Sequence, residues 1–166
     1  RSTVGTMTEL NDHLKLLYAR AAHLYCRGCG LPVRRDTAAS IADELRAHAA
    51  AAGNPRLVVT FPVAVPKNFS EAEVLQLLEQ QGYTRIHSRT PGQLEVVQDR
   101  FRAGAAERAR VLEALEAALR VGRGRVNVYV DAGSADAGGG TRGEVAGTWR
   151  FSTDLHCADC DIHYRD

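Results

Sequence analysis

Apolar positions recur along this chain in two different periods. In "TMTELNDHLKLLYARAAHL", Leu10, Leu14, Leu17 and Ala21 fall on one helical face, and Thr6 with Glu9 has the capping-box spacing. "DTAASIADELRAHAAAAG" predicts a second, alanine-rich helix with Asp36 as its cap and Gly53 as its stop. The pattern then changes. "RLVVTFPVA" from Arg56 is a β-branched run, "SEAEVLQLLEQQG" from Ser70 is a capped amphipathic helix ending at Gly82, and "YTRIHS" from Tyr83 and "LEVVQDRF" from Leu94 read as strands. "RTPGQ" between them, with Pro91 and Gly92, predicts a hairpin turn. "AAERARVLEALEAALRVG" from Ala105 predicts a helix with Val111, Leu112, Leu115 and Leu119 inward, and "RVNVYVD" from Arg125 alternates as a strand should. Ala132 to Gly143 is glycine-rich loop, after which "EVAGTWRFSTDL" returns to strand.

The order β-α-β-β-α-β predicts an α+β fold with a ferredoxin-like centre. Three segments follow: residues 1–55, a helical flank; 56–131, the α/β domain; and 132–166, the loop, the return strand and a second flank.

Cysteine placement sharpens this picture. Cys26 and Cys29 form one C-x-x-C pair and Cys157 and Cys160 another, with Cys29 and Cys157 128 positions apart. Thiolates two residues apart can turn toward one ion, and two such turns complete a tetrahedron, so zinc is the expected metal. Loop closure costs grow only logarithmically, and a folded insertion between the knuckles can bring them together. A redox pair, or two half-sites whose other halves lie elsewhere, compete with that reading.

Composition limits the function classes. Hydrophobic residues make up 45% and charged ones 25%, with 21 basic against 20 acidic side chains, which favours neither disorder nor a broad nucleic-acid-coating surface. With no apolar run near the roughly 20 residues that cross a bilayer, the expectation is a soluble, cytoplasmic protein without membrane contact, cut from a longer chain. Phosphate-loop, H-E-x-x-H, G-x-S-x-G and dinucleotide fingerprints are missing, so no catalytic residue is assigned. Of the six histidines, His23, His156 and His163 lie near a knuckle and are read as polar neighbours of the site, not ligands.

"RSTVGTMTELNDHLKLLYARAAHLYCRGCG" resembles the bacterial UvrA family of nucleotide-excision-repair proteins. "LEQQGYTRI", "VVQDRF" and "FSTDLHCADC" are similar to further motifs of that family in the same order, so the resemblance spans the chain. It implies an insertion in the first ATP-binding half of an ABC-type ATPase, whose β/α centre docks UvrB. ATP, DNA contact and a homodimer would belong to the parent protein. The implied docking positions are Arg85, Asp99, Arg100 and Lys67, the arginines offering planar forks to partner carboxylates, with Asp99 holding one of them. Cys26, Cys29, Cys157 and Cys160 would be the neck of the insertion, although the family's further C-x-x-C beyond the position of Cys160 offers the second pair other partners.

"KNFS" stands where the family has a basic R-K-G-E run, so only Lys67 keeps the charge, and the hairpin linker is shorter. Both departures fit a divergent UvrA paralogue. The alternative is an autonomous zinc-containing ferredoxin-like module that binds nucleic acid. Against it stand 6% aromatics and strands without a stacking pattern.

Overall fold

The computed structural model describes residues 10–21, 23–131 and 147–164. The Thr6–Glu9 capping box and the glycine-rich loop lie outside them. Among the described residues the chain forms four helices and a five-stranded antiparallel sheet, with two short hairpins beside it.

Helix α1, Leu10–Ala21, leads into the hairpin of β1, Leu24–Tyr25, and β2, Pro32–Val33. Its predicted apolar face is exposed at Leu10, Leu14 and Leu17. Helix α2, Ala38–Ala51, is capped by Thr37, which exchanges hydrogen bonds with Ser40 in a capping box. Asp36, expected to be the cap, is instead buried. It accepts from Arg34 Nε at 3.0 Å and from the Ser152 N–H at 3.3 Å, while its own N–H donates to Ser152 O at 2.8 Å. Thr37 is free to cap because a hydroxyl three residues on answers it, whereas the Asp36 carboxylate is drawn to a distant backbone donor.

The sheet order is β4-β5-β3-β6-β7. β3, Arg56–Ala64, lies in the middle, paired on one side with β5, Gln93–Arg102, and on the other with β6, Arg125–Asp131. β4, Ile86–Thr90, and β7, Thr148–Ser152, form the edges. β4 begins three residues later than the sequence suggests, because Tyr83 turns inward and meets the Phe61 ring edge-on at 5.1 Å. Ser70 caps α3, Glu71–Gln80, as expected. α4, Arg108–Val121, buries Val111 and Leu115 but seats Ala114 and Ala118 deeper than Leu112 and Leu119, which pack at the margin.

Helices α2, α3 and α4 contribute Ile41, Leu45, Leu78 and Leu115 to one core against alternate strand residues Leu57, Val59, Phe61, Val96, Val126 and Val128. Each fully buried side chain of this kind contributes roughly 1.5–3 kcal/mol. The opposite positions face away from the helices: Val58 and Thr60 on β3, Glu95 and Val97 on β5, Asn127 and Tyr129 on β6, Arg150 on β7. One irregularity breaks the alternation. Val59 pairs with Asp99 but Thr60 with Val97, leaving Gln98 as a bulge residue, so Asp99 and Arg100 change faces relative to Glu95.

Candidate metal centre and docking face

The first knuckle is the β1–β2 hairpin. Cys26 N–H donates to Leu31 O at 2.7 Å, Gly30 N–H returns to Cys26 O at 2.8 Å, and Gly30 holds φ 73° to close the turn. The second knuckle is β8, His156–Cys157, paired with β9, Ile162–His163, through a turn in which Asp161 has φ 53°. The two meet. The sulfur atoms of Cys26, Cys29, Cys157 and Cys160 all lie within 4.8 Å of one another, with Cys29 Sγ and Cys157 Sγ 3.6 Å apart. Zinc–sulfur bonds of about 2.3 Å imply a tetrahedral edge of about 3.8 Å, so the arrangement fits a tetrathiolate zinc site, whereas a disulfide needs about 2.05 Å. The four residues that would hold the ion leave no open position for substrate, and zinc would act there as a cross-link.

The surroundings suit negative sulfur. Gly28 N–H points at Cys26 Sγ at 3.3 Å, and a Cβ on Gly28 would stand 3.0 Å from Cys160 Sγ, so this position needs glycine for close approach. Tyr164 accepts from Arg27 N–H at 2.8 Å and hydrogen-bonds Cys26. That bond, with backbone N–H groups of Cys29 and Gly28, holds the Cys26 thiol down to about 6. Its neighbours move the other way: the contact with Cys29 and burial push Cys160 up to about 12, and burial pushes Cys157 up. Four thiolates in so small a volume need a cation to coexist. Cys26 follows a strand in a hairpin and not a helix start, unlike a thiol-exchange nucleophile.

The histidines are secondary here. His156 Nε2 meets Asp161 at 2.8 Å, and the His156 and His163 rings lie 4.2 Å apart. Arg125 of β6 reaches Asp161 at 3.2 Å and donates to His163 Nε2 at 2.9 Å, so a guanidinium already engages two of the three groups that could hold a second metal. This contact fastens the second knuckle to the sheet. His23 is exposed.

Arg85 and Arg100 are exposed, and among the described residues neither guanidinium has an ion pair. Arg85 O accepts from Val97 N–H at 2.9 Å, which sets it about 10 Å along β5 from Arg100. Asp99 holds neither arginine. Its carboxylate takes Arg110 of α4 at 3.1 Å, and its Oδ1 also accepts the Arg100 N–H at 2.7 Å. Lys67 is distant from these three, in the loop after β3, whose Ala64 pairs with Gln93 at the other end of β5. On the helix-free face Tyr129 is the aromatic side chain the central strands present, already stacked on His87, and Glu95 there is unsuited to a phosphate backbone. Neither Glu95 nor Tyr164 was marked by sequence reasoning, and no local signal distinguishes either. No described helix is long and apolar enough to cross a membrane.

Fold and site together define a mixed α/β domain with a four-cysteine cluster beside its sheet. No family model matches the chain. It is 34% identical over 141 residues to UvrABC system protein A of Mycobacterium bovis, covering 76% of this chain and 14% of that protein. With UvrABC system protein A of Bacillus subtilis it shares 32% over 147 residues, 78% of this chain and 15% of the relative. With that of Xanthomonas axonopodis pv. citri it shares 32% over 178 residues, 97% and 16%. The chain is a UvrA-related region, and it spans about one sixth of the length of the curated relatives it matches.

Proposed function

We propose that this region is the protein-docking arm of a UvrA-type nucleotide-excision-repair ATPase, and that it binds UvrB through the sheet end bearing Arg85 and Arg100. The observation that supports this most is the pair of exposed guanidinium groups left without an ion pair while nearby Asp99 is neutralised by Arg110. Two planar forks so released can engage partner carboxylates, giving orientation as well as attraction. Lys67, at the other end of the sheet, would add only encounter charge. The four-strand centre, β4-β5-β3-β6, is read as ferredoxin-like with β7 added at its edge. The arm itself has no catalytic role in this reading; ATP hydrolysis, DNA contact and dimerisation belong to the cytoplasmic parent protein. Zinc in the neck would fix where the arm leaves the body.

Calorimetry against UvrB of the same organism, at low and moderate salt, tests it. Saturable one-to-one binding that weakens with salt, and that Arg85→Ala with Arg100→Ala abolishes without lowering Tm, is the expected result. No binding by the folded protein at either salt would refute it.

A further inference from the structure

Arg85 and Arg100 leave the middle of the helix-free face unused, and an acidic group is buried there. Glu95 is 7% exposed. Its carboxylate accepts from Thr60 Oγ1 at 2.9 Å, Asn127 Nδ2 at 2.9 Å and Gln93 Nε2 at 3.2 Å. All three donors are neutral. The two arginines bordering the same hollow are committed elsewhere, Arg125 to Asp161 and His163, Arg150 to Asp159 at 3.2 Å. A carboxylate taken out of water without a cation costs stability that neutral hydrogen bonds only partly offset.

The fold does not need that charge. A glutamine at position 95 could accept from Asn127 and Gln93 through its oxygen and donate to Thr60, whose hydroxyl would then donate to Asn127 O, 3.1 Å away. A charge that the fold neither needs nor neutralises points to something outside the chain.

Above Glu95 lies a hollow of about 380 Å³, lined among others by Gln93, Asn127, Ser88, Thr90 and Tyr129. The Tyr129 ring forms one wall and stacks on His87 at 4.2 Å. Burial pushes the His87 pKa down and Tyr129 up, so at neutral pH neither ring competes as a charge. An acidic floor, an aromatic wall and hydroxyl and amide acceptors at the rim are the surroundings a planar, multiply donating cation requires. The hollow also adjoins the docking forks, because Val58 pairs with Arg100 on one side and with Tyr129 on the other.

We infer that the hollow over Glu95 seats an arginine side chain of the docking protein. This rests on the docking reading, with UvrB as the partner. A basic fork at Arg100 beside an acidic seat at Glu95 would fix the register of the complex, since a partner shifted by one position would set like charges together.

Two measurements test it, both on the wild-type protein and on Glu95→Gln. In NMR titrations, L-arginine methyl ester should give saturable shifts of the Asn127 and Gln93 side-chain amides that the uncharged citrulline ester does not give and that Glu95→Gln loses. In calorimetry against UvrB, Glu95→Gln should weaken binding about tenfold or more, with Tm unchanged or raised, a combination that a purely structural role cannot produce. Equal UvrB affinity of the two proteins, or arginine shifts that persist in Glu95→Gln, overturns the seat and leaves the docking reading standing. If UvrB fails to bind while the arginine shifts depend on Glu95, the seat stands and the choice of partner falls.

Discussion

Treating the protein with a zinc chelator at neutral pH separates two energies that the fold keeps apart. The knuckles have almost no core: Cys26, Val33 and Cys157 are their buried apolar residues, with Leu24, Cys160, Ile162 and Tyr164 packed at the margin. Three small side chains contribute on the order of 5 kcal/mol in total. A structural zinc ion contributes about 10–16 kcal/mol. With zinc bound, the metal term would therefore dominate at the knuckles, whereas the sheet has its own separate cluster of twenty buried residues, none of them a cysteine. Chelation should unfold the neck and spare the sheet. Amide hydrogen exchange followed by mass spectrometry reads this directly: peptides covering 24–33 and 156–164 should lose protection, while those in β3, β5 and β6 keep theirs. Unchanged neck protection after the metal is stripped would refute the reasoning, and so would collapse of the sheet together with the neck.

Other outcomes follow from single contacts. Gly28→Ala places a methyl 3.0 Å from Cys160 Sγ and 3.2 Å from Ile162 Cδ1, and competition with a metal indicator should show zinc affinity falling about tenfold. Cys157 and Cys160, pushed up by burial and by neighbouring thiols, hold their protons at pH 7, so zinc loading should release at least these two. Affinity should then rise about a hundredfold per pH unit near neutrality, and calorimetry in buffers of different ionisation enthalpy counts the protons. Ser70→Ala removes the α3 cap and should lower Tm by roughly 2–4 °C at pH 7. Hydrogen bonds from Ser70 hold the Glu73 carboxyl below its usual value, so that stabilisation is present above the unfolded carboxyl pKa of about 4.3 and is lost as pH falls through the folded one. The Tm gap between the two proteins should therefore narrow on acidification, as thermal melts from pH 7 to 3 would show.

What the chain announces locally is what could be read from it. Ser70 and Glu73 lie three residues apart, and their capping box forms as the spacing says. The strand alternation located β3, β5 and β6 because one face of each must meet the helices. Asp36 was misassigned because its partner, Ser152, is 116 positions away and enters only once β7 joins the sheet. The cysteine types pointed to a metal, but their convergence depends on the same return strand. Glu95 within "LEVVQDRF" has the look of an ordinary outward polar residue; it is buried by Thr60 and Asn127 from two other strands, which no local pattern encodes.

The Asp36–Ser152 clasp also bears on how the segment between the cysteine pairs can be handled as a unit. It closes the chain immediately after the first knuckle and immediately before the second, so segment 37–151 begins and ends at nearly one point. Such a segment is a cassette. Its ends lie close enough for it to be moved into a loop of an unrelated host without stretching that loop. The same closure means that the sheet and its helices can change in length between the two clasped ends while the frame at Asp36 and Ser152 stays in place.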